Sequence, residues 1–119
     1  MQNVHGNNIW KKIKVTKRVV RNGQVAVLHS PGFGAGWSTW AQPDIREDII
    51  FDPAMVDLVE HEKWEELEVY VGLKYPGLYT GGLRDLHVEW IPLGTQFVID
   101  EYDGNESIQR RDSVDWITA

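Results

Sequence analysis

The residues best suited to chemistry stand in one block. An apolar run, Val25-Ala26-Val27-Leu28, leads through His29 into Ser30-Pro31-Gly32-Phe33-Gly34-Ala35-Gly36-Trp37-Ser38-Thr39-Trp40. Glycine has no Cβ, so three alternating glycines let the backbone approach another surface closely. N–H groups exposed in such a loop can hold phosphate oxygens. Phe33, Trp37 and Trp40 add flat faces on which a base can stack. This reading assigns ligand contacts to Ser30, Gly32, Phe33, Gly34, Gly36, Trp37 and Trp40. The alternative is a tight loop packed beneath its two tryptophans. None of the familiar signatures fits. A Walker loop needs Lys-Ser/Thr after its last glycine, where this chain has Trp37-Ser38, and a dinucleotide fingerprint spaces its glycines differently. Ser30 precedes Pro31 and no Gly-x-Ser-x-Gly occurs, so there is no nucleophile elbow.

Cations that suit phosphate are Arg84, next to Asp85 after Gly81-Gly82, and the pair Arg110-Arg111. The guanidinium fork matches phosphate oxygens in shape and charge. Their alternative role is charge balance on an acidic surface. The four histidines are isolated. His29 and Ser30 are adjacent on an extended run, so their side chains point to opposite faces and do not form a nucleophile–base pair. His61, between Glu60 and Glu62, lacks zinc-ligand spacing. The carboxylate-rich stretch from Glu101 to Glu106 surrounds Asp103-Gly104, a turn signal, and lacks the order of a calcium loop. Neither a metal nor a cofactor is expected, and no catalytic residue is assigned.

The elements that must position these groups follow from pattern. Residues 1–8 read as a mobile polar arm. Residues 9–20 alternate loosely and read as a strand. Asn22-Gly23 marks a hairpin turn, and residues 25–28 are the returning strand. Residues 41–48, polar and carrying Pro43, read as loop. Asp52-Pro53 signals a helix start, and apolar spacing predicts one bent helix or two short ones between Asp52 and Leu73. Residues 86–91 and 96–102 alternate as strands, with Pro92 to Gly94 as a turn between them. Residues 107–109 and 114–117 read as short final strands. The order predicts a single α+β domain over 1–119, with a mostly antiparallel sheet of four to six strands.

Composition narrows the partners. At 119 residues the chain is one domain with room for a hydrophobic core. A formal net charge of −6 disfavours long nucleic acid as a partner. The basic residues Lys11, Lys12, Lys14, Lys17, Arg18 and Arg21 form either a solvated strand face or the surround of a small anion. No apolar stretch has the length of a membrane span, and the N-terminus lacks the basic start and apolar run of a signal peptide. With no cysteine, the expectation is a protein of a reducing cytoplasm. Six tryptophans and several strand edges in so small a chain predict a homo-oligomer.

The block from Ser30 to Trp40 resembles a signature of small phage and prophage proteins. So does the later pattern Arg84-Asp85-Leu86, Val88, Trp90-Ile91-Pro92, Gly94-Thr95, Phe97, Ile99, Glu101-Tyr102-Asp103-Gly104, Glu106-Ser107-Ile108. The similarity covers residues 25–119. It brings no catalytic motif with it. Small acidic oligomeric phage proteins include anti-defence sponges, which bind the nucleotide messengers of bacterial immune systems such as Thoeris and CBASS without cleaving them. The resemblance thus implies a cytoplasmic binder, in an infected bacterium, of an ADP-ribose-type or cyclic nucleotide. The alternatives are a nucleotide phosphodiesterase using Asp103, Glu106 or His29, and a structural or host-protein-binding phage factor.

Overall fold

In the computed structural model, residues 17–32, 36–113 and 115–119 are described. The expected arm at 1–8, most of the strand expected at 9–20, and Phe33, Gly34 and Val114 lie outside them. The chain enters through a hairpin. Strand β1 (Val20–Arg21) pairs antiparallel with β2 (Gln24–His29) across Asn22-Gly23, both at positive φ. Positive φ at both central positions suits a turn whose twist matches the flanking strands, which is why Asn-Gly stands there.

Residues 41–51 correct the expected loop. Pro43 to Ile45 form a turn of 3-10 helix, and α1 (Arg46–Phe51) follows. Pro43 provides a preset φ at the start, Glu47 and Asp48 favour the first turn, and Ile49, Ile50 and Phe51 are buried. The polar composition of this stretch belongs to its outer face alone. Helices α2 (Pro53–Glu60) and α3 (Trp64–Lys74) fill the span expected to be helical.

Asp52 starts α2 as the sequence suggests, and it does more. Its buried carboxylate accepts from the N–H groups of Ala54 (2.9 Å) and Met55 (3.3 Å), and from the Tyr70 (2.8 Å) and Tyr75 (2.7 Å) hydroxyls. It thereby fastens α2 to the end of α3. Burial, reinforced by the bond to Asp52, pushes the Tyr75 phenol far up and keeps it protonated.

Strand β3 (His87–Pro92) pairs antiparallel with β2, giving a sheet in the order β1-β2-β3. Strands β4 (Phe97–Tyr102) and β5 (Asn105–Arg110) form a second, two-stranded sheet around Asp103-Gly104, again both at positive φ. The described residues thus make a compact α+β domain of three helices and five antiparallel strands in two sheets. No strand forms at 115–117. One core joins β2, the apolar faces of all three helices, Trp37, Leu83, Leu86 and Ile91. Arg21 of β1 grips Glu60 of α2 through a two-point ion pair (2.9 and 3.0 Å). No helix among the described residues is long and apolar enough to cross a membrane.

Candidate functional site

Residues on either side of the glycine block converge on an anion that belongs to the chain itself. The Asp103-Gly104 turn pairs Tyr102 with Asn105 and Glu101 with Glu106, which sets the second residue of β5 facing inward. Glu106 is 1 % exposed. Its main-chain N–H donates to the Ser30 carbonyl (2.8 Å). One carboxylate oxygen accepts from the Ser30 N–H (2.9 Å). The other accepts from the N–H groups of Trp37 (2.8 Å) and Thr39 (3.0 Å) and from the Thr39 hydroxyl (2.5 Å). Four donors therefore converge on one carboxylate.

The expected site residues fare differently. The main-chain N–H groups of Ser30 and Trp37 are engaged by Glu106 and offer nothing to a phosphate in this arrangement. Trp37 is 0 % exposed, so its ring packs in the core instead of presenting a face. Gly32 and Gly36 both stand in close quarters. A Cβ on Gly32 would lie 2.6 Å from an Asp85 carboxylate oxygen, and one on Gly36 would lie 2.6 Å from the Trp40 ring. Trp40 is 43 % exposed and packs obliquely on Tyr79 (5.1 Å between ring centroids). Arg84 turns away to α3, where it holds Glu68 by two bonds (2.8 and 3.1 Å). That fork keeps the Glu68 carboxyl below the ordinary range.

Arg110 and Arg111 do come together. With Gln96, Phe97 and the 73 %-exposed Trp116 they line a cavity of about 380 Å³. The Arg111 guanidinium donates to the Gln96 side chain (2.6 Å), and the Arg110 guanidinium reaches the Trp90 carbonyl (3.5 Å).

The larger opening lies on the path from the loop to the hairpin. A cleft of about 640 Å³ runs between α1 and β4. Arg18 and Arg46 are its cations and Glu47 its carboxylate. Phe51 and Phe97, packed edge to face at 6.3 Å, form its apolar wall. The Arg18 guanidinium lies over the Phe51 ring at 4.3 Å, a stacking mode that arginine favours. Arg46 is held from behind: its side chain donates to the carbonyls of Ala41 (3.1 Å) and Thr39 (3.3 Å). Thr39 therefore touches both regions, holding Glu106 with its donors and Arg46 with its acceptor.

Sequence reasoning missed Arg46, Phe51 and Phe97, and read Arg18 only as part of a basic cluster. Nothing in the spacing brings these residues together; docking of the β4–β5 hairpin does. Among the described residues, no three His, Asp or Glu side chains gather in a way that could hold a metal ion. His29, at the end of β2, is paired across the sheet with His87 (6.3 Å between rings), and its Nδ1 is buried without a hydrogen bond. Burial pushes its pKa down. No family model matches the chain, and neither does any curated protein or solved structure.

Proposed function

We propose that this protein binds a small nucleotide-type anion, of the ADP-ribose or cyclic-nucleotide kind, and holds it without cleaving it. In a phage-infected bacterium such binding would withdraw an immune messenger from its receptor. The observation that carries the reading is the cleft in which Arg18 and Arg46 share one wall system with Phe51 and Phe97. Its volume of about 640 Å³ lies within the usual range for small-molecule sites. Guanidinium groups suit phosphate, and Arg18 is already stacked on Phe51. Stacking contributes roughly 1–3 kcal/mol per base, and a charge-assisted hydrogen bond roughly 1.5–3 kcal/mol. Arg46 is already oriented by two carbonyls, which lowers the ordering cost on binding. Glu106, one of the groups considered for hydrolysis, has its carboxylate committed to four donors. That commitment favours binding over turnover.

The test is calorimetry with the wild type, Arg18→Ala and Arg46→Ala against ADP-ribose-derived and cyclic nucleotides. Heat release of the bound ligand then shows whether it is intact. The expected result is sub-micromolar binding, at least about tenfold weaker in each variant, corresponding to about 1.4 kcal/mol or more. Absence of any binding tighter than about 10 μM would end the reading.

A second reading, docking on a protein or on another copy of the chain, is favoured by Val98, Tyr102, Trp116 and Ile117, all strongly exposed near the hairpin and the C-terminus. Light scattering that returns only a 13.7 kDa species would remove the self-association part of it.

A further inference from the structure

The β4–β5 ribbon has one docked edge and one open edge. In an antiparallel strand each residue sends its N–H and its C=O to the same side, and successive residues alternate sides. The Arg111 N–H donates to the Gln96 carbonyl (2.9 Å), so Gln96 faces the β5 side. By alternation Val98 and Asp100 face β5 as well, while Phe97, Ile99 and Glu101 turn their main chain the other way. The same alternation turns Glu106 outward on β5, and its N–H meets the Ser30 carbonyl (2.8 Å). The outer edge of β5 is thus tied to the end of β2, whereas no strand among the described residues pairs with the outer edge of β4. No hydrogen bond from a described residue reaches the main chain of Phe97 or Ile99 on that side. Both residues are half-buried, and both line the cleft that carries Arg18 and Arg46.

We infer that the main chain of β4 reads the base. The Phe97 carbonyl accepts from a donor on the ring, the Ile99 N–H donates to the ring acceptor beside it, and Arg18 and Arg46 hold the phosphates. This rests on the nucleotide reading of the cleft. A carbonyl and the N–H two residues further on are neighbours along a strand edge, and the polar edge of a nucleobase carries a donor next to an acceptor. The ladder to β5 already fixes these groups, so pairing costs little further ordering. A peptide strand could take the same edge, but the two guanidinium groups in the cleft favour an anion. The Phe97 carbonyl then sets the selectivity. A base without a donor leaves it unpaired, and a site that hydrogen-bonds a polar edge discriminates strongly against a ligand lacking that group.

The experiment titrates ADP, the diphosphate of purine riboside and inorganic pyrophosphate into the wild type, and follows amide hydrogen exchange by NMR. Purine riboside is adenosine without its exocyclic amine, so it keeps the ring acceptor and loses the donor. ADP is expected to bind at least about tenfold tighter than either of the others. It slows exchange at the Ile99 N–H, whereas pyrophosphate does not. The Val98 N–H, which faces β5, is protected throughout. Equal binding of ADP and the purine analogue, or an Ile99 amide that exchanges as fast with ADP bound as without it, overturns this inference and leaves the cleft reading standing. If neither ADP nor pyrophosphate binds, the nucleotide reading of the cleft falls, and this inference with it. Ile99→Pro gives a second check, because it removes an N–H that faces away from β5 and breaks no ladder bond. It is expected to weaken ADP by at least about tenfold and to leave pyrophosphate unchanged. Unchanged ADP affinity in that variant overturns the assignment of Ile99 as the donor.

Discussion

The glycine loop and the cleft beside the β4–β5 hairpin both gather groups that favour an anion. In the loop these are main-chain N–H groups, and the Glu106 carboxylate already satisfies those of Ser30, Trp37 and Thr39. In the cleft they are the guanidinium groups of Arg18 and Arg46, and Glu47 is the single acidic side chain among the described residues of its walls. The difference follows from burial. A buried N–H cannot be left without a partner, so a loop folded into the interior must bring its own acceptor. A guanidinium at a cleft mouth is hydrated until a ligand replaces the water. Glycine-rich sequence thus marks a place where donors crowd, without saying whether their acceptor comes from outside or from elsewhere in the chain.

The largest effect is expected at Glu106. Glu106→Ala leaves three N–H groups and the Thr39 hydroxyl facing an empty, buried space. The expected loss is about 3–5 kcal/mol of unfolding free energy, read from urea denaturation. Glu106→Gln keeps one acceptor but turns an amide NH₂ toward donors, so it falls between the two. A loss below about 1 kcal/mol for Glu106→Ala would mean that the loop finds another acceptor and that the carboxylate is not its organising group.

Next comes the packing that holds the loop closed. A Cβ on Gly82 would stand 2.5 Å from the Gly36 carbonyl oxygen and 2.7 Å from the Ser30 hydroxyl. Backbone cannot rotate out of the way as a side chain can. Gly82→Ala is therefore expected to cost about 1–3 kcal/mol in the same assay. The effect reaches the cleft through Thr39, which holds Glu106 and orients Arg46, so ligand affinity is expected to fall less than stability does. If ligand affinity fell in proportion to stability, the two regions would be one site instead of two.

How much of this was legible depends on how far apart the partners stand in the chain. The turns at Asn22-Gly23 and Asp103-Gly104 and the cap at Asp52 depend on neighbouring residues, and all three form as the sequence suggests. Glu106 stands in a run of acidic residues around a turn, which reads as solvated surface. Its donors lie 67 to 76 positions earlier, and no local spacing announces them. Trp37 and Trp40 show the same limit. They have the same chemistry three positions apart, yet one is fully buried and the other 43 % exposed. Helix α1 was hidden because Arg46, Glu47 and Asp48 dominate its composition, while Ile49, Ile50 and Phe51 carry its burial. The cleft residues come from the β1 approach, α1 and β4, so only the docked hairpin reveals them.

A smaller effect should appear in the pH dependence of stability. Burial is the main cause that lowers the pKa of His29; Glu89 opposes it, His87 adds to it, and Glu106 opposes it. The unfolded chain, with an ordinary histidine near 6.5, therefore binds more protons than the folded one below about that pH. The contribution is fully present above about pH 6.5 and is lost as pH falls through the lowered folded value. The urea midpoint of the wild type should drop between about pH 7.5 and 5.5, and His29→Gln should flatten part of that drop. An identical pH profile in the variant would show that His29 is protonated as easily in the fold as outside it.

The smallest expected effect has the opposite sign and serves as a control for the glycines. Gly72 lies inside α3, is exposed, and a Cβ there would meet nothing within 4 Å. Unlike Gly36 or Gly82, it makes room for no neighbour among the described residues. Glycine inside a helix is penalised because the unfolded chain gives up more freedom there. Gly72→Ala is therefore expected to stabilise the protein by about 0.5–1 kcal/mol, seen as a raised urea midpoint with an unchanged slope. Set beside Gly82→Ala, it separates glycines required by close packing from one that packing does not require. If Gly72→Ala destabilised the fold instead, that face of α3 would be covered in solution, and a contact with another copy of the chain would become the first thing to examine.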